Sequence, residues 1–540
     1  MKLAKKTELY PTPHTDESPS EYADRLGVIY TSKVTLDHKK NLGQYFTPAK
    51  VANFMGEFGE IFKSSIRILD PGCGIGILSC SLIEKLVSSN SNIKEINLVA
   101  FENDNEILSY TDLCFSYLFL WLEEKGIIFS YFLCKNDFIL HNSAILKSAD
   151  SEDEEKYDLI ITNPPYFKLN KDDARAVAAK SIINGQTNIY SIFLIISARL
   201  LSENGKLIFI TPRSFTSGSY FKLFREKFLS MMDLTKIHLF ISRKDAFERD
   251  KVLQENIIVV SEKKSAPIPN QLEIDFPDQS ASTIYISYSH GINDLDSRNI
   301  KEYVITELVN LQSDQKIIHI PIVPNDEKAI QIFKLWTHNL ASFDLKVSTG
   351  PVVDFRSLDF IKEKASKHSV PLIYLHNVNK MQFQWPLEKR NKGKIKGEYI
   401  ISNELSSSRL VANKDYILMR RFSSKDDNSK LIASPYFAKW LSEYSLIGIE
   451  NHLNYIYREN KDFKEVEILG LSGLLNSRLF DIYFRTFNGN INVSATELRD
   501  LPLPPASDII KIGKKMIKLV SYDQDAINNI VESHFKIIFN

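Results

Sequence analysis

The sequence predicts a doubly wound, mostly parallel α/β sheet followed by a second, mixed α+β domain. Three observations carry that expectation. Short apolar runs alternate with helix-length stretches from about residue 66 to residue 211, the alternation becomes irregular after Val260, and 540 residues with 44% hydrophobic content can fill more than one core. A charged fraction of 25% and an aromatic fraction of 11% exclude wholesale disorder.

Residues 1–40 are polar, carry Pro11, Pro13 and Pro19, and read as a loosely structured arm. Four candidate buried strands follow at 66–69 (IRIL), 96–101 (INLVAF), 157–162 (YDLIIT) and 206–211 (KLIFIT). Helix-like segments at 77–87, 105–122 and 188–201 separate them, and strands alternating with helices of this length form parallel sheets. The acidic run 150–155 (DSEDEE) reads as a solvated loop. The stretch 263–270 (KKSAPIPN) reads as a linker, which divides the chain into 1–40, 41–265 and 266–540. Parallel sheets bind ligands at the carboxyl ends of their strands, so the residues just after each run are the candidates for chemistry.

Composition narrows the function. Lys and Arg number 67 and Asp and Glu 67, so no global field draws the protein to nucleic acid and any such binding needs a local basic surface. The four cysteines, Cys73, Cys80, Cys114 and Cys134, form no CxxC pair and read as reduced, buried thiols; no metal site is expected. The Lys-rich start lacks the apolar core of a secretory signal, and no apolar run is long enough for a bilayer. A cytoplasmic protein is expected.

Glycine is scarce, with 20 in the chain. Three of them, Gly72, Gly74 and Gly76, sit in ILDPGCGIGILSC between a strand and a helix, where a ligand can approach the backbone closely. A dinucleotide site uses such a turn for a pyrophosphate. Asp70 argues against that, because its carboxylate would repel phosphate and suit a cofactor carrying positive charge, such as S-adenosyl-L-methionine. The next strand ends in Phe101-Glu102-Asn103-Asp104, where Glu102 can accept both hydroxyls of a ribose. Further on, Asp137 can accept from an adenine amino group while Phe138 stacks on the ring.

Residues 158–167, DLIITNPPYF, are the sharpest feature. Pro164 and Pro165 have no N–H to donate, so the backbone carbonyls leaving this strand point outward. Asn163 adds a side-chain carbonyl and Tyr166 an aromatic face. Together they make a planar slot with two acceptors, suited to a flat substrate bearing an amino group.

The order LGQYFTP (42–48), DPGCGIG (70–76), FEND (101–104), NDF (136–138) and NPPYF (163–167) resembles the gamma-class adenine-N6 DNA methyltransferases of restriction–modification systems, the TaqI-like group. The resemblance covers residues 40–260 strongly. It continues more weakly through LKVSTGPVVDFR, LMRRFSSK, ENHLNYIY and LRDLPLP, which look like the target-recognition domain of the longer members. It implies a class I, Rossmann-like methyltransferase domain over 41–265 and a DNA target-recognition domain over 266–540. It also implies Tyr45 and Thr47 near the cofactor's methionine carboxylate, Asp70 near its amino group, Gly72 and Gly74 in the turn, Glu102 and Asn103 at the ribose, and Asp137 with Phe138 at the adenine. Asn163 and the Pro164 carbonyl would receive the target amino group, with Tyr166 stacked on the base and Phe247, in DAFERDKVLQEN, as the opposite wall.

On that resemblance the chain is an adenine-specific DNA methyltransferase acting on duplex DNA, with S-adenosyl-L-methionine as cofactor. It is expected to act as a monomer, alongside a separately encoded cognate restriction endonuclease. Residues 389–430 hold eleven Lys/Arg against five Asp/Glu, which fits phosphate contacts; Lys389, Arg390, Lys392, Lys394, Arg420 and Arg421 are the candidates. Two competing readings stand beside it. An enzyme acting on RNA or protein glutamine could use the same slot, and a non-catalytic DNA-binding specificity protein could keep the fold without the chemistry.

Overall fold

The computed structural model describes residues 11–35, 37–38, 43–44, 46–146, 155–182, 188–242, 255–265, 282–387, 397–423, 429–489 and 492–539. The chain divides into two compact units, Met1–Ile320 and Pro321–Asn540.

The first unit is built on a nine-stranded sheet in the order β3-β2-β1-β4-β5-β7-β6-β8-β9. The strands are β1 (Ser65–Asp70), β2 (Glu95–Phe101), β3 (Ile128–Cys134), β4 (Tyr157–Thr162), β5 (Leu201–Pro212), β6 (Met232–Phe240), β7 (Asn256–Lys263), β8 (Thr283–Ser289) and β9 (Asn299–Val304). β1 to β5 pair in parallel, and β7 runs antiparallel between β5 and β6. Strand order reverses between β1 and β4, the place where such sheets leave a crevice for a ligand. The connecting helices are α1 (Pro19–Lys33), α2 (Ala49–Gly56), α3 (Ile77–Ser89), α4 (Leu108–Glu123), α5 (Phe138–His141), α6 (Ala174–Ala178), α7 (Ile189–Leu200) and α8 (Lys222–Met231).

All four expected strands are present, as β1, β2, β4 and β5. β3 was not foreseen. It is an edge strand whose Ile128 and Phe132 are 68% and 63% exposed, so its apolar residues do not fall on one buried face. Helix α4 starts at Leu108, three residues after the expected position, because Asp104 Oδ1 accepts the Glu106 amide at 3.1 Å and holds the chain in a turn first.

Two domain expectations change. The arm expected over 1–40 contains α1, started by a capping box in which Ser18 and Glu21 satisfy each other's backbone amides. Its Tyr22, Ala23, Leu26 and Tyr30 lie on one helix face and are buried in the same core as β1, β2, α3 and α4. Fully burying one such side chain is worth about 1.5–3 kcal/mol, so this helix belongs to the unit's core. The boundary expected at 265/266 lies within the first unit. β8 pairs in parallel with β6, Ile286 opposite Ile237, and β9 pairs with β8, so the sheet carries the chain to Val304. The proline-containing stretch after β7 therefore joins strands of one sheet.

The second unit has a four-stranded sheet, β10 (Leu345–Thr349), β20 (Leu453–Arg458), β17 (Tyr416–Arg420) and β18 (Ala433–Tyr436). A five-stranded sheet runs β11 (Ile361–Lys362), β15 (Tyr399–Ile401), β12 (Ser369–Ile373), β19 (Leu446–Ile449) and β16 (Leu410–Ala412), and β13 (Val378–Asn379) pairs with β14 (Gln382–Phe383). Helices Pro324–Lys334, Glu465–Asn476, Arg478–Arg485, Ala495–Arg499, Ala506–Met516 and Gln524–Phe535 belong to it as well. This is the mixed α+β unit that the irregular pattern after Val260 predicts.

Candidate functional site

A cleft of about 200 Å³ lies at the carboxyl ends of β1 to β4. Pro71, Gly72 and Gly74 line it after β1, Glu102 and Asn103 after β2, Asp137 and Phe138 after β3, and Asn163 and Pro165 after β4. Gln44, Phe46 and Thr47, from the segment before α2, line it too.

The turn after β1 is held by backbone bonds. The Cys73 amide donates to the Phe101 carbonyl at 3.0 Å, and the Gly76 amide donates to the Cys73 carbonyl at 2.7 Å. Gly76 begins α3 at φ 95°, where a Cβ would lie 2.5 Å from the Phe115 ring, so the position accepts only glycine without a shift. Asp70 does not border the cleft. Its side chain is fully buried, and Oδ2 accepts the Ser79 hydroxyl at 2.7 Å. Burial pushes its carboxyl up to about 7, opposed by Ser79 and the Gly72 amide. Its Oδ1 is buried with no hydrogen-bond partner.

Glu102 keeps one side open to the cleft and is enclosed on the others. Oε2 accepts the Gly74 amide at 3.1 Å and Oε1 the Asp104 amide at 2.8 Å. Burial, reinforced by the Asp104 charge, raises its carboxyl to about 7 despite those amides. Asp104 anchors the N-terminal segment: its Oδ2 accepts Tyr30 Oη at 2.7 Å, Gln44 Nε2 at 2.7 Å and His38 Nε2 at 3.0 Å. Burial alone would raise Asp104, but those three hydrogen bonds outweigh it and hold the carboxyl below its ordinary value.

Asp137 starts the short helix α5, accepting the Leu140 amide on Oδ1 at 3.0 Å, and its Oδ2 lies 3.7 Å from Arg175 Nη1. Phe138 packs edge-on against Phe101, with centroids 5.1 Å apart. Asn163 stands between two hydroxyls. Its Nδ2 donates to Thr47 Oγ1 at 3.0 Å, and its Oδ1 accepts from Tyr166 Oη, which is also 2.8 Å from the Ile210 carbonyl.

The structure thus brings together Thr47, Gly72, Gly74, Glu102, Asn103, Asp137, Phe138, Asn163 and Pro165 of the residues proposed from sequence. Pro164 is buried, Tyr166 stands edge-on to Tyr190 outside the cleft lining, and Asp70 is set back from it. Tyr45, Phe247, Lys389, Arg390, Lys392 and Lys394 lie outside the described residues. Sequence reasoning missed Gln44, Phe167, Arg175 and Phe193, which also line the cleft. Gln44 lies inside LGQYFTP and Phe167 ends NPPYF, so both had a signal; Arg175 and Phe193 had none. All four cysteines are buried and none is in a disulfide.

In the second unit the expected basic stretch is more engaged than its composition suggests. Arg420 donates to the Val378 carbonyl and to Asn379 Oδ1, both at 2.7 Å, and Arg421 donates to the Asn451 carbonyl at 3.1 Å. Arg409, Lys414 and Lys430 also donate to protein oxygens. Among the described residues, no helix is long and apolar enough to cross a membrane.

Known proteins share this chain's pattern. The family model described as Eco57I restriction-modification methylase matches residues 77–247, which follow directly on the glycine turn and include Glu102, Asp137 and the Asn163 slot. Type II methyltransferase M.PstI of Providencia stuartii is 30% identical over 512 residues, covering 93% of this chain and 95% of that protein. The chain belongs to the type II methyltransferases. Type II methyltransferase M.BsuBI of Bacillus subtilis is 29% identical over 484 residues, 89% of this chain and 91% of its own length. Both likenesses extend through both units, as the resemblance to restriction–modification methyltransferases implies. The first unit of this type II methyltransferase is the expected class I methyltransferase sheet, with antiparallel β7 inserted beside β5.

Proposed function

We propose that this chain transfers a methyl group from S-adenosyl-L-methionine to the N6 amino group of an adenine in duplex DNA, and so protects host DNA in a type II restriction–modification system. The observation that carries the reading is the position of Asn163, which lines the same cleft as the acids Glu102 and Asp137. The DNA substrate follows from the relatives, whose likeness spans the second unit as well as the first.

The residues fit the cofactor. Glu102 offers a carboxylate edge for the ribose hydroxyls, Asp137 and Phe138 an acceptor and a ring face for the adenine, and Thr47 a hydroxyl for the methionine carboxylate. The buried, unpartnered Oδ1 of Asp70 favours positive charge nearby, as the cofactor's ammonium would supply. When bound, the cofactor contributes an electrophilic methyl group on sulfur.

The remaining chemistry belongs to the chain. An adenine N6 lone pair is delocalised into the ring and hidden in the duplex, so the base must leave the stack at a cost of a few kcal/mol. Tyr166 and Phe247 would hold it between aromatic faces. Asn163 Oδ1 and the Pro164 carbonyl would accept hydrogen bonds from the two N6–H groups, leaving the nitrogen lone pair directed at the methyl group; as the N6–methyl bond forms and the sulfur–methyl bond breaks, the positive charge would pass to N6, which then sheds one proton to solvent. Catalysis is then positioning and electrostatics, without a covalent intermediate.

The test is product analysis. Purified protein is incubated with unmethylated genomic DNA and isotopically labelled cofactor, and the DNA is digested to nucleosides for mass spectrometry. Label in N6-methyladenine is expected. Label on cytosine N4, or on RNA or protein and absent from DNA, would overturn the reading.

A further inference from the structure

We infer that β3 is an interface: two copies of this chain pair edge to edge through it, antiparallel, about a two-fold axis at Ser130. A dimer then replaces the monomer expected from sequence, whichever base is methylated.

β3 ends the nine-stranded sheet, and among the described residues no strand pairs with its outer side. Its seven residues pair with β2 without a register shift, so no bulge turns that side away. An open row of N–H and C=O groups templates another strand, and proteins guard it with charge, proline, a bulge or a very short edge. Residues 127–134 read IIFSYFLC, with neither charge nor proline. The side chains around the edge are apolar and exposed. Ile128 and Phe132, on one face of β3, are 68% and 63% exposed, and Leu120 and Phe119 of α4 are 55% and 40% exposed. Those two helix residues lie one turn beyond Ser116, whose hydroxyl is 3.4 Å from Tyr131 Oη of β3, so they flank the same edge on the other face of the sheet.

Backbone directions set how a second strand joins. The Ile128 amide donates to the Lys94 carbonyl at 2.9 Å, and the Cys134 carbonyl accepts the Glu102 amide at 3.0 Å. The even-numbered residues of β3 therefore point their N–H and C=O groups at β2, and Phe129, Tyr131 and Leu133 point theirs outward. An antiparallel copy centred on Ser130 sets Phe129 opposite Tyr131 of the second copy, and Tyr131 opposite its Phe129. Each such pair exchanges two hydrogen bonds. The same register sets Ile128 opposite Phe132 of the second copy, twice, as non-hydrogen-bonded pairs, in which side chains approach most closely. The exposed apolar residues thus cover each other, and Ser130 meets its own copy on the axis. This self-complementarity selects a second copy over an unrelated strand, because residues 128–132 (IFSYF) have the same chemistry read from either end: large apolar, aromatic, small, aromatic, large apolar. The nearest charges, Lys125 and Lys135, lie beyond the paired residues.

Phe119 and Phe132 together expose the equivalent of one whole aromatic side chain, about 150–250 Å², and Leu120 with Ile128 a comparable area. Roughly 400 Å² per copy from these four is half of the about 800 Å² per partner in a standard interface, and the strand backbone adds to it. A dimer with a micromolar Kd is expected. The pairing is isologous and uses up the β3 edge of both copies, so assembly stops at two.

The test is sedimentation of the full chain from about 1 to about 100 μM, with charge and cysteine variants at the edge. Wild type should pass from one copy to two across that range. Ile128→Lys puts a charge on the open edge and should stay monomeric throughout, and Phe132→Lys repeats the test on the facing residue. Ser130→Cys should form a disulfide-linked dimer on mild oxidation, because the two side chains meet on the axis. Ile128→Cys should not, since Phe132 stands opposite it. The four native cysteines are buried, so they do not compete. Circular dichroism matching wild type shows that each variant is folded. A wild type that stays monomeric, or that grows past two copies, overturns the inference. So does a dimer that survives both lysine variants, which places the interface elsewhere, or one that cross-links at 128 and not at 130, which refutes the register.

Discussion

Glu102 should make cofactor affinity fall as the solution is acidified through neutrality. The carboxylate, not the acid, can accept two ribose hydroxyls, and burial places its titration at about 7 in the free protein. Above pH 8 the group is ionised and affinity is at its plateau. At pH 6 about one molecule in eleven is ionised, so Kd for S-adenosyl-L-methionine should be roughly tenfold weaker than at pH 8. Glu102→Gln keeps the shape and removes the charge. At pH 8 it loses charge-assisted hydrogen bonds worth about 1.5–3 kcal/mol, which is about ten- to a hundredfold in Kd. Its pH dependence between 6 and 8 should shrink, and any slope that remains belongs to Asp70, whose carboxyl is also pushed to about 7 and is raised in part by the Glu102 charge. Isothermal titration calorimetry without DNA, from pH 6 to pH 8.5, measures both proteins. A wild-type Kd that is flat across that range, or a Gln variant with wild-type affinity at pH 8, would refute the reasoning.

Asp70 and the basic stretch give two further predictions. Asp70 is fully buried with its pKa raised from 3.8 to about 7, so the folded state binds a proton that the unfolded state has lost. Stability of the ligand-free protein should therefore fall between about pH 4 and pH 7 and then level off, with Glu102, also raised to about 7, adding to the fall; Asp70→Asn should make the fall shallower by a few kcal/mol in urea titrations, and an unchanged pH profile would show that Asp70 is not a titrating group. In the second unit Arg420 and Arg421 already donate to protein oxygens, so joint substitution of Lys389, Arg390, Lys392 and Lys394 by Ala should flatten the slope of log affinity against log salt more than Arg420→Ala with Arg421→Ala does, by about 0.9 for each phosphate no longer neutralised. The opposite ranking would return the phosphate contacts to the arginine pair.

Much of the first unit was legible because its signals are local. IRIL, INLVAF, YDLIIT and KLIFIT are largely buried and read as nearly continuous apolar runs, whereas β3 shows Ile128 and Phe132 to solvent at the sheet edge and carries no such pattern. The α1 helix was hidden by its polar composition: its stripe of Tyr22, Ala23, Leu26 and Tyr30 is narrow, and only packing against α3 and α4 gives it weight. β8 and β9 were assigned to the wrong unit because strand pairing with β6 depends on contacts about fifty residues apart, which periodicity does not report. At the site, motif residues such as Glu102, Asp137 and Asn163 were found at strand ends, where backbone geometry forces them into the cleft. Asp70 was placed by its charge, but the Ser79 hydroxyl that draws it away from the cleft lies on the following helix. Arg175 and Phe193 reach the cleft from helices that no motif marks.

The most direct test of the central claim is the methyl-transfer rate of Asn163→Ala. The rate is measured under single turnover on DNA whose methylated atom is known, with cofactor and DNA affinities determined for the same preparation. Because Asn163 acts on the amino group and not on either ligand's anchoring groups, both affinities should stay within a few-fold of wild type while the rate falls by about two orders of magnitude or more, as loss of one preorganised electrostatic partner does elsewhere. A variant that transfers methyl groups to adenine N6 at the wild-type rate would contradict the account.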